Sequence, residues 1–477
     1  MFIGIDIGTG SVKGTLLLAN GSLTEVSEKY EGAPVIGVQE TRSLEKACAG
    51  ILKRAAGLSK ERKEPIEGIS SSGHGPSLVI VDAAGNPSAE VTTWQDNSNS
   101  AEARELASIF PGFSKTGECW EAKVLAAWRR GMEGTGGKCW KGSTALYPKD
   151  YLLYLLCGRR VIDRSTASTT AFFDPRNGVW NCGSTGIDAR FLPEIVGSWE
   201  EAGKTGTAFS RDCGLANGIP VIGGGIDAWC EAVGAGAVEP GMLVDGSGTS
   251  TCVSACRPIA STILEHVIPQ RTFRIETISF TGGSAHWAED LLKLSVRDWK
   301  SGTGSGDLRP VPILFLPYLI GERSPVWEEQ ASALFLGLRS EDTAQDLMSA
   351  VFQGAAFAVA QCLALVDASG SAPAVRAVGG GAENLPWVRM KASITGRTYQ
   401  VMERKDAAPL GSALIAAFGS GKAALGDLIE KYVRVEREIE PERKYREQYG
   451  RLLESYGRIY GKVRDEMKIL AEERSIE

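Results

Sequence analysis

The sequence predicts an α/β protein made of two related domains with a ligand-binding cleft between them. Residues 2–19 form a strand, a glycine-rich turn and a second strand, and residues 241–253 repeat this plan about 240 residues later. Short apolar strands alternate with helical stretches in both halves. We place the boundary near residues 225–240, which gives an N-terminal domain of residues 1–230 and a C-terminal domain of residues 231–477.

The alternation of predicted strands and helices along the chain supports this fold class. Tyrosines and a leucine recur every three or four residues in the charged C-terminal tail, so we expect an amphipathic helix packed on the second domain. A coiled-coil partner surface is the alternative, but the heptad pattern is not sustained. The expected elements, in chain order, are helix 44–56, strands 66–72 and 78–81, helices 101–109 and 344–367, strand 374–379 and the tail helix within 441–472.

The composition is that of a globular protein. The 477 residues include 43% hydrophobic and 23% charged residues, and the formal net charge is −6. This balance excludes a disordered chain and gives no electrostatic reason to bind nucleic acid or anionic lipid. Glycine accounts for 57 residues, a larger share than the average of about 7%. We therefore expect many tight turns and close backbone approaches.

Cysteine usage and the apolar segments indicate a cytoplasmic protein. The ten cysteines form no C-x-x-C pair and only three histidines are present, so neither a disulfide framework nor a zinc site is expected. Asp6 interrupts the first apolar run, which lacks a basic segment and does not resemble a signal peptide. Residues 350–366 form the longest apolar stretch, but glutamine and glycine interrupt it. We expect a buried core helix there and no membrane partner.

The first glycine-rich turn is a candidate phosphate site. Small residues between two strands leave backbone N–H groups free to point at a phosphate, and Lys13 adds a cation. Asp6 at the strand end could hold a hydrated Mg²⁺. The turn matches neither a dinucleotide-binding fingerprint nor a Walker loop, and an ordinary hairpin is the alternative. The turn residues proposed to contact phosphate are Thr9, Gly10, Ser11 and Lys13.

Two further glycine runs extend this prediction. A second turn around Gly248 and Thr249 would face the same phosphates from the opposite domain, and two facing turns make the phosphate interpretation stronger. A third run follows strand 374–379 and would let a flat base or a phosphate approach the backbone closely, although a plain strand-to-helix turn is the alternative. Its candidate residues are Gly380, Gly381, Ala382 and Asn384.

Asp227 is the candidate general base. It follows an apolar strand and three glycines at the domain boundary, where a carboxylate could accept a proton from a substrate hydroxyl. Capping of the following helix is the alternative role.

Several longer motifs identify a family. The pattern A-x-F-x-G-L at residues 333–338 is followed after seven residues by D-L-x-x-A-V-F-Q at 346–353. F-L-P-Y-L at 315–319, G-E-R-S-P at 321–325 and D-x-S-x-A-S at 163–168 agree with it. Over essentially its whole length the chain resembles the FGGY family of carbohydrate kinases. That resemblance implies two ribonuclease-H-like (actin-like ATPase) domains with an interdomain cleft.

The resemblance also implies an activity. FGGY kinases phosphorylate a sugar or polyol hydroxyl with ATP and Mg²⁺, so the N-terminal domain would bind the sugar and the C-terminal domain the nucleotide. By motif position, Asp227 would be the catalytic base and would also contact the substrate, Asp6 would sit near the metal, and Thr9, Ser11 and Lys13 would form the first phosphate loop. Thr249 would belong to the second phosphate loop, and Gly380, Gly381, Ala382 and Asn384 to the adenosine side.

Substrate contacts are expected from the first domain. His74 occupies the position of the family's substrate loop, and residues 94–96 resemble its W-x-D-x-R segment, which adds Trp94 and Asp96. The family's arginine is replaced by Ser98. A lone histidine is more often structural, but a glycine-flanked loop favours a role in binding.

The resemblance leaves the substrate open. Asp227 followed by Ala228 favours ribulose-type kinases, residues 73–75 favour xylulose-like members, and residues 324–327 resemble gluconate and glycerol kinases. We favour a pentulose such as ribulose or xylulose. The alternatives are a gluconate- or glycerol-type kinase, a catalytically silent regulator that binds sugar and nucleotide, and an actin-like ATPase. The phosphorylated hydroxyl and the oligomeric state also stay open, with a homodimer as one candidate.

Overall fold

Two six-stranded sheets organise the chain, one in each of two units. In this computed structural model the first unit comprises Met1–Gly236, Pro258–Thr272 and Ala408–Tyr432. The second comprises Ala237–Arg257, Phe273–Ala407 and Val433–Glu477. The division after residue 230, into a sugar-binding and a nucleotide-binding domain, stays a prediction. The structure describes residues 1–32, 35–110, 113, 117–135, 140–259, 264–294 and 309–474.

The sheet of the first unit begins with the predicted hairpin. Phe2–Ile7 pairs antiparallel with Ser11–Leu17, and on its other side it pairs parallel with Gly68–Gly73. Gly68–Gly73 in turn pairs parallel with Pro220–Ile226. The full strand order is Glu201–Lys204, Pro220–Ile226, Gly68–Gly73, Phe2–Ile7, Ser11–Leu17 and Leu23–Lys29.

The sheet of the second unit repeats that arrangement. Leu243–Ser247 pairs antiparallel with Thr251–Pro258 and parallel with Ala374–Val378, which pairs parallel with Thr398–Met402. Each sheet thus consists of a hairpin, one further strand on the outer side of that hairpin, two parallel strands on its other side and an antiparallel strand at the far edge. This confirms the duplication predicted from the two strand-turn-strand segments. The order is Arg271–Ile278, Thr251–Pro258, Leu243–Ser247, Ala374–Val378, Thr398–Met402 and Val435–Ile439.

Five short two-stranded ladders lie outside these sheets. They are Val38–Glu40 with Glu90–Thr92, Val79–Val81 with Thr144–Leu146, Val161–Asp163 with Glu194–Val196, Phe173–Asp174 with Val179–Trp180, and Leu314–Leu316 with Leu334–Leu336, counted in the described part of the chain.

Two helix ends carry caps that the sequence offers. Thr343 and Asp346 form a reciprocal capping box at the start of Ala344–Val366, and Gly158 ends Pro148–Cys157 in the left-handed conformation. The α-helices of the described ranges are Thr41–Arg62, Ser100–Ile109, Trp120–Thr135, Pro148–Cys157, Arg164–Ala167, Ala208–Asp212, Asp227–Gly234, Gly282–Leu292, Ala344–Val366, Leu385–Thr395, Ala407–Gly419, Leu425–Tyr432 and Arg446–Arg474. Short 3₁₀ turns occupy Gly183–Thr185, Ala189–Phe191, Gly380–Glu383 and Arg443–Tyr445.

The helix Ala344–Val366 forms part of the core of the second unit. Among the described residues it is the one helix that is long and apolar enough to cross a membrane. Within the protein, 78% of its most apolar 18-residue segment is buried. Its polar residue Gln353 is fully satisfied: the side-chain amide donates to the Val311 and Ile313 carbonyls, and its oxygen accepts from the Val311 N–H. The predicted buried core helix is therefore confirmed.

The C-terminal helix also matches the prediction. Arg446–Arg474 buries Tyr449 and Tyr456, and the Tyr456 ring centroid lies 5.4 Å from that of Phe357 in the core of the second unit. The tyrosine spacing in the sequence thus marks the face that packs against the protein.

Candidate functional site

Three neighbouring parallel strands of the first unit end at the same edge of the sheet. The register pairs Ile7 with Gly73 and Gly73 with Ile226. Asp6 lies next to the end of its strand, whereas His74 and Asp227 directly follow theirs. In α/β sheets, ligands bind outside the carboxyl ends of the strands. The structure therefore brings three of the predicted site residues to the edge where a ligand is expected.

Asp6 is held in place by the neighbouring strand. Its carboxylate oxygen Oδ1 accepts a hydrogen bond of 2.7 Å from the Ser72 hydroxyl. In the hairpin register, Asp6 lies opposite Lys13. Both Asp6 and Lys13 are half-buried. A carboxylate and an ammonium group thus flank the base of the first turn.

The first turn presents its tip to solvent. The Gly8 N–H donates to the Ser11 carbonyl at 3.0 Å, and the Tyr30 hydroxyl donates to the Gly8 carbonyl at 2.7 Å. Thr9 and Gly10 are exposed, and no atom lies within 4 Å of where a Gly10 side chain would start. The tip is therefore rigidly closed at its base and open above, as a phosphate-binding turn requires.

Trp94 reaches this same turn. Its indole N–H donates to the Thr9 hydroxyl oxygen, with the two atoms 3.0 Å apart. The structure thus joins a residue expected to contact the sugar with one expected to contact phosphate.

His74 is buried with one ring nitrogen satisfied. The side chain is 3% exposed, and Nδ1 lies 2.7 Å from the Ser77 hydroxyl. Nε2 has no hydrogen-bond partner among the residues that the structure describes. Burial lowers the pKa of His74 to about 4, so the ring is neutral at pH 7. A neutral ring that accepts from Ser77 at Nδ1 carries its proton on Nε2, whereas one that donates from Nδ1 leaves Nε2 as an acceptor.

Asp96 organises the turn before the helix Ser100–Ile109. Its two carboxylate oxygens accept from the Ser98 N–H at 3.1 Å and from the Asn99 side-chain amide at 3.2 Å. Ser98 stands where the family places arginine. Lys123 is a cation near Asp96 and is itself buried; desolvation lowers the pKa of Lys123 to about 8, while the Asp96 charge opposes that shift.

A bulged glycine run sets the position of Asp227. The register with the neighbouring strand shifts between Ile222 and Gly225. Gly224 adopts a φ of +73°, and a side chain there would start 1.9 Å from the Ser71 carbonyl oxygen, so only glycine fits. Asp227 then begins the helix Asp227–Gly234.

The half-buried carboxylate of Asp227 is anchored at this helix start. Its Oδ1 accepts from the Ala228 N–H at 2.7 Å. The residue at the cap position is Ile226, which makes no capping bond through its side chain. Asp227 therefore occupies the first helical turn rather than the cap, and its side chain lies at the ligand edge of the sheet.

The second turn of the repeat lies in the second unit. Gly248 and Thr249 are exposed, and the Thr249 carbonyl accepts from the N–H groups of Thr281 and Gly283, each at 3.0 Å. As in the first copy, the turn is tied down at its base and open at its tip.

The aspartates of the two copies are not equivalent. Asp6 is the last residue but one of its strand, whereas Asp245 is the last but two of Leu243–Ser247. Because side chains alternate along a strand, Asp245 points to the opposite face and is fully buried. An aspartate therefore precedes both turns, but the two carboxylates do not occupy equivalent positions.

Part of the third glycine run is buried and has a structural role. Gly380 is exposed with open space around it, but Ala382 is fully buried in the core of the second unit. Asn384 is also buried, and its side-chain oxygen caps the helix Leu385–Thr395 by accepting from the Trp387 N–H at 3.1 Å. The Ala382 side chain therefore belongs to the core, and the Asn384 side-chain oxygen serves the helix.

Sequence reasoning missed two lysines that are buried in ion pairs. The Lys149 ammonium lies 2.5 Å from Asp150 and 2.7 Å from Asp163 in the first unit. The Lys391 ammonium lies 2.6 Å from Asp245 in the second unit. Only the adjacent Lys149–Asp150 pair leaves a local signal in the sequence.

No protein-only metal site is present in the described ranges, where no three His, Cys, Asp or Glu side chains cluster suitably. Mg²⁺ that arrives with nucleotide phosphates needs only one or two carboxylates. The half-buried Asp6 beside the first turn fits that requirement.

Two family models match the chain. The model of the N-terminal domain of the FGGY family of carbohydrate kinases matches residues 1–234, and that of the C-terminal domain matches residues 246–420. A xylulose kinase of Staphylococcus epidermidis is 25% identical over 96% of both chains.

Solved structures show the same fold. A "xyloylose kinase" of Brucella ovis has a TM-score of 0.87 at 23% identity, covering 97% of this chain and 99% of that chain. A gluconate kinase of Lactobacillus acidophilus has a TM-score of 0.84 at 20% identity, covering 97% of both chains.

Proposed function

Because the chain belongs to the FGGY family of carbohydrate kinases, we propose that it transfers the γ-phosphoryl group of ATP to a hydroxyl of an open-chain pentulose, with xylulose the first candidate. The observation that carries this proposal is the shared edge of three parallel strands, where Asp6, His74 and Asp227 lie. The curated relative named xylulose kinase, aligned over 96% of both chains, supports the choice of sugar.

Asp227 is the proposed general base. As the sugar hydroxyl attacks phosphorus, an oxygen–phosphorus bond forms, the bond to the leaving nucleotide oxygen breaks, and the hydroxyl proton passes to the Asp227 carboxylate. The bond from the Ala228 N–H fixes the orientation of that carboxylate. His74 would donate from Nε2 to another sugar oxygen, and Trp94 with Asp96 would border the same site.

ATP supplies the phosphoryl group when it is bound. Lys13, Ser11 and the exposed tip residues Thr9 and Gly10 would contact its phosphates, with Asp6 holding Mg²⁺. In the second unit, Gly248 and Thr249 would also contact phosphate. The third run, with Gly380, Gly381, Ala382 and Asn384, would face the adenosine. On this assignment residues 1–230 bind the sugar and residues 231–477 the nucleotide.

A coupled ADP assay over a panel of pentuloses, hexuloses, polyols and aldonates tests the proposal. We expect ADP release that depends on a sugar, with the highest kcat/KM for xylulose or ribulose. Preference for gluconate or glycerol would overturn the pentulose assignment. Saturable binding of ATP and sugar without ADP release would identify a silent regulator, and sugar-independent release would identify an ATPase.

A further inference from the structure

A buried ion pair lies beneath the two glycine turns of the second unit. The Lys391 ammonium is 2.6 Å from Asp245 Oδ2 and 3.1 Å from the Ser247 hydroxyl, and the side chains of Lys391 and Asp245 are 0% exposed. The Ser247 hydroxyl also donates to the other Asp245 oxygen, Oδ1, at 2.5 Å. Lys391 comes from the helix that follows the third glycine run, whereas Asp245 and Ser247 come from the strand that precedes the second turn.

The pair borders the slot in which Gly381 lies. A side chain at Gly381 would start 2.6 Å from the Ser247 Cβ and 2.8 Å from the Trp387 ring. Lys391 contacts both walls of this slot, because its ammonium bonds to Ser247 and lies 4.4 Å from the Trp387 ring centroid. Gly379, with φ of +77°, packs equally closely on the Ser247 carbonyl. The position of the third run thus depends on where Ser247 and Trp387 are held.

The same network continues into the second turn. The Thr251 hydroxyl donates to the Ser247 hydroxyl at 3.2 Å and lies 2.6 Å from the Thr281 hydroxyl. The Thr281 N–H in turn donates to the carbonyl of Thr249, an exposed residue of that turn. A continuous chain of polar contacts therefore runs from Lys391 to the base of the second turn, while the third run packs against Ser247 and Trp387.

We propose that Lys391 and Asp245 are positioning residues that hold the second turn and the third glycine run in register for the nucleotide. The inference rests on the nucleotide role proposed for these turns and adds residues that touch no ligand. A buried ion pair contributes little net stability, because desolvation offsets its attraction, and an apolar pair of similar volume fills the space as well. A charged, hydrogen-bonded pair instead fixes the relative positions of the helix that carries Lys391 and the strand that carries Asp245.

Three variants separate positioning from stability. Lys391→Met and the double variant Asp245→Leu/Lys391→Met are compared with Ser247→Ala, and each is measured for Tm, for ATP binding by calorimetry and for the KM values of ATP and sugar. Lys391→Met leaves a buried carboxylate unpaired and should lower Tm, whereas the apolar double variant should recover most of it. In all three we expect the KM for ATP to rise, by roughly 3- to 30-fold in the Lys391 variants, with the sugar KM changing less than about twofold.

Arg397→Met is the matched control. Arg397 forms an ion pair of 2.9 Å with Asp367 that is also largely buried in the second unit, at the opposite end of the parallel strands. It should lower Tm without changing the KM for ATP. If Lys391→Met does not fold, the double variant and Ser247→Ala still test the positioning role.

The outcomes also distinguish this inference from the proposed function. An unchanged KM and affinity for ATP in the double variant and in Ser247→Ala would overturn the positioning role while the wild type still phosphorylates sugar. A wild type that neither binds ATP nor releases ADP would overturn the proposed function itself.

Discussion

The indole nitrogen of Trp94 lies 3.0 Å from the hydroxyl oxygen of Thr9. This bond joins the segment expected to bind sugar to the turn expected to bind phosphate. A change at the sugar site can therefore alter the phosphate turn directly, without a longer path through the core.

The first prediction is that Trp94 and Thr9 act as a pair. Thr9→Val removes the acceptor and Trp94→Phe removes the donor, so the loss of kcat/KM in the double variant, as a free energy, should be smaller than the sum of the two single losses. A coupling of about 1 kcal/mol is expected for one hydrogen bond. Steady-state kinetics of the four proteins measures it, with Thr9→Ser as the control that keeps the hydroxyl. Additive losses would show that the two residues act independently.

The second prediction concerns the proposed base. Asp227→Asn keeps the size of the side chain but cannot take the hydroxyl proton, so turnover should fall by roughly 10²- to 10⁴-fold while ATP affinity stays near that of the wild type. Turnover and ATP binding are measured in parallel. Asp212→Asn makes the same charge change at an exposed position and should leave both unchanged. Near-normal turnover in Asp227→Asn would remove this residue from the reaction.

The third prediction is that His74 binds sugar as a neutral ring. Loss of its Nε2 donor in His74→Ala should raise the sugar KM about tenfold and alter the preference among sugars. Because burial lowers the pKa of His74 to about 4, the His74 contribution to the sugar KM should not change between pH 6 and 8. His286→Ala replaces a histidine whose side chain is 71% exposed and serves as the control. A His74-dependent increase in KM below pH 6.5 would contradict a neutral ring.

The fourth prediction tests the second turn. Thr249→Val replaces an exposed hydroxyl at its tip and should weaken ATP binding by about tenfold without lowering Tm, because the side chain is not part of the core. Isothermal calorimetry with ATP measures the affinity. Thr24→Val, on the edge strand of the first sheet, is the control and should bind ATP normally. Unchanged affinity in Thr249→Val would separate this turn from the phosphates.

The fifth prediction follows from a histidine outside the site. Burial is the main cause that lowers the pKa of His266, to about 3, and its Nδ1 accepts from the Ile268 N–H. Between that value and the unfolded pKa of about 6.5, the unfolded chain binds the proton and the folded chain does not, so acidification destabilises the fold. The His266 contribution to the free energy of unfolding should fall by about 2 kcal/mol from pH 7 to pH 5.

His266→Asn retains an acceptor near Nδ1 but does not titrate. Denaturant unfolding at the two pH values should therefore show a smaller loss of stability in the variant than in the wild type. Equal losses would mean that His266 is already protonated in the folded protein at pH 5.

The repeated fold could be predicted because its signal is local. A strand, a glycine-threonine turn and a second strand lie next to each other in the sequence, and both copies form the expected hairpins. The offset of Asp245 was visible too: two residues separate Asp245 from Gly248, whereas one separates Asp6 from Gly8. That one-residue difference places the two carboxylates on opposite faces of their sheets.

The buried ion pairs could not be predicted in the same way. Lys391 and Asp245 are 146 residues apart in the chain, and neither residue lies in a motif that names the other. A lysine in an otherwise helical segment is normally a solvent-exposed residue. Only the tertiary packing shows that its ammonium group is enclosed by Trp387 and Ser247.

The return of Ala408–Tyr432 to the first unit has a consequence for synthesis on the ribosome. Gly4 in the first strand packs so closely on this returning segment that a side chain there would start 2.1 Å from the Ala413 backbone nitrogen. At about 5–20 residues per second, that segment is translated roughly 20 to 80 seconds after Gly4. During this interval the nascent chain lacks the segment that packs against Gly4 on this face of the first sheet. Protein truncated before residue 408 should therefore aggregate or be captured by chaperones, even though it contains every strand of that sheet.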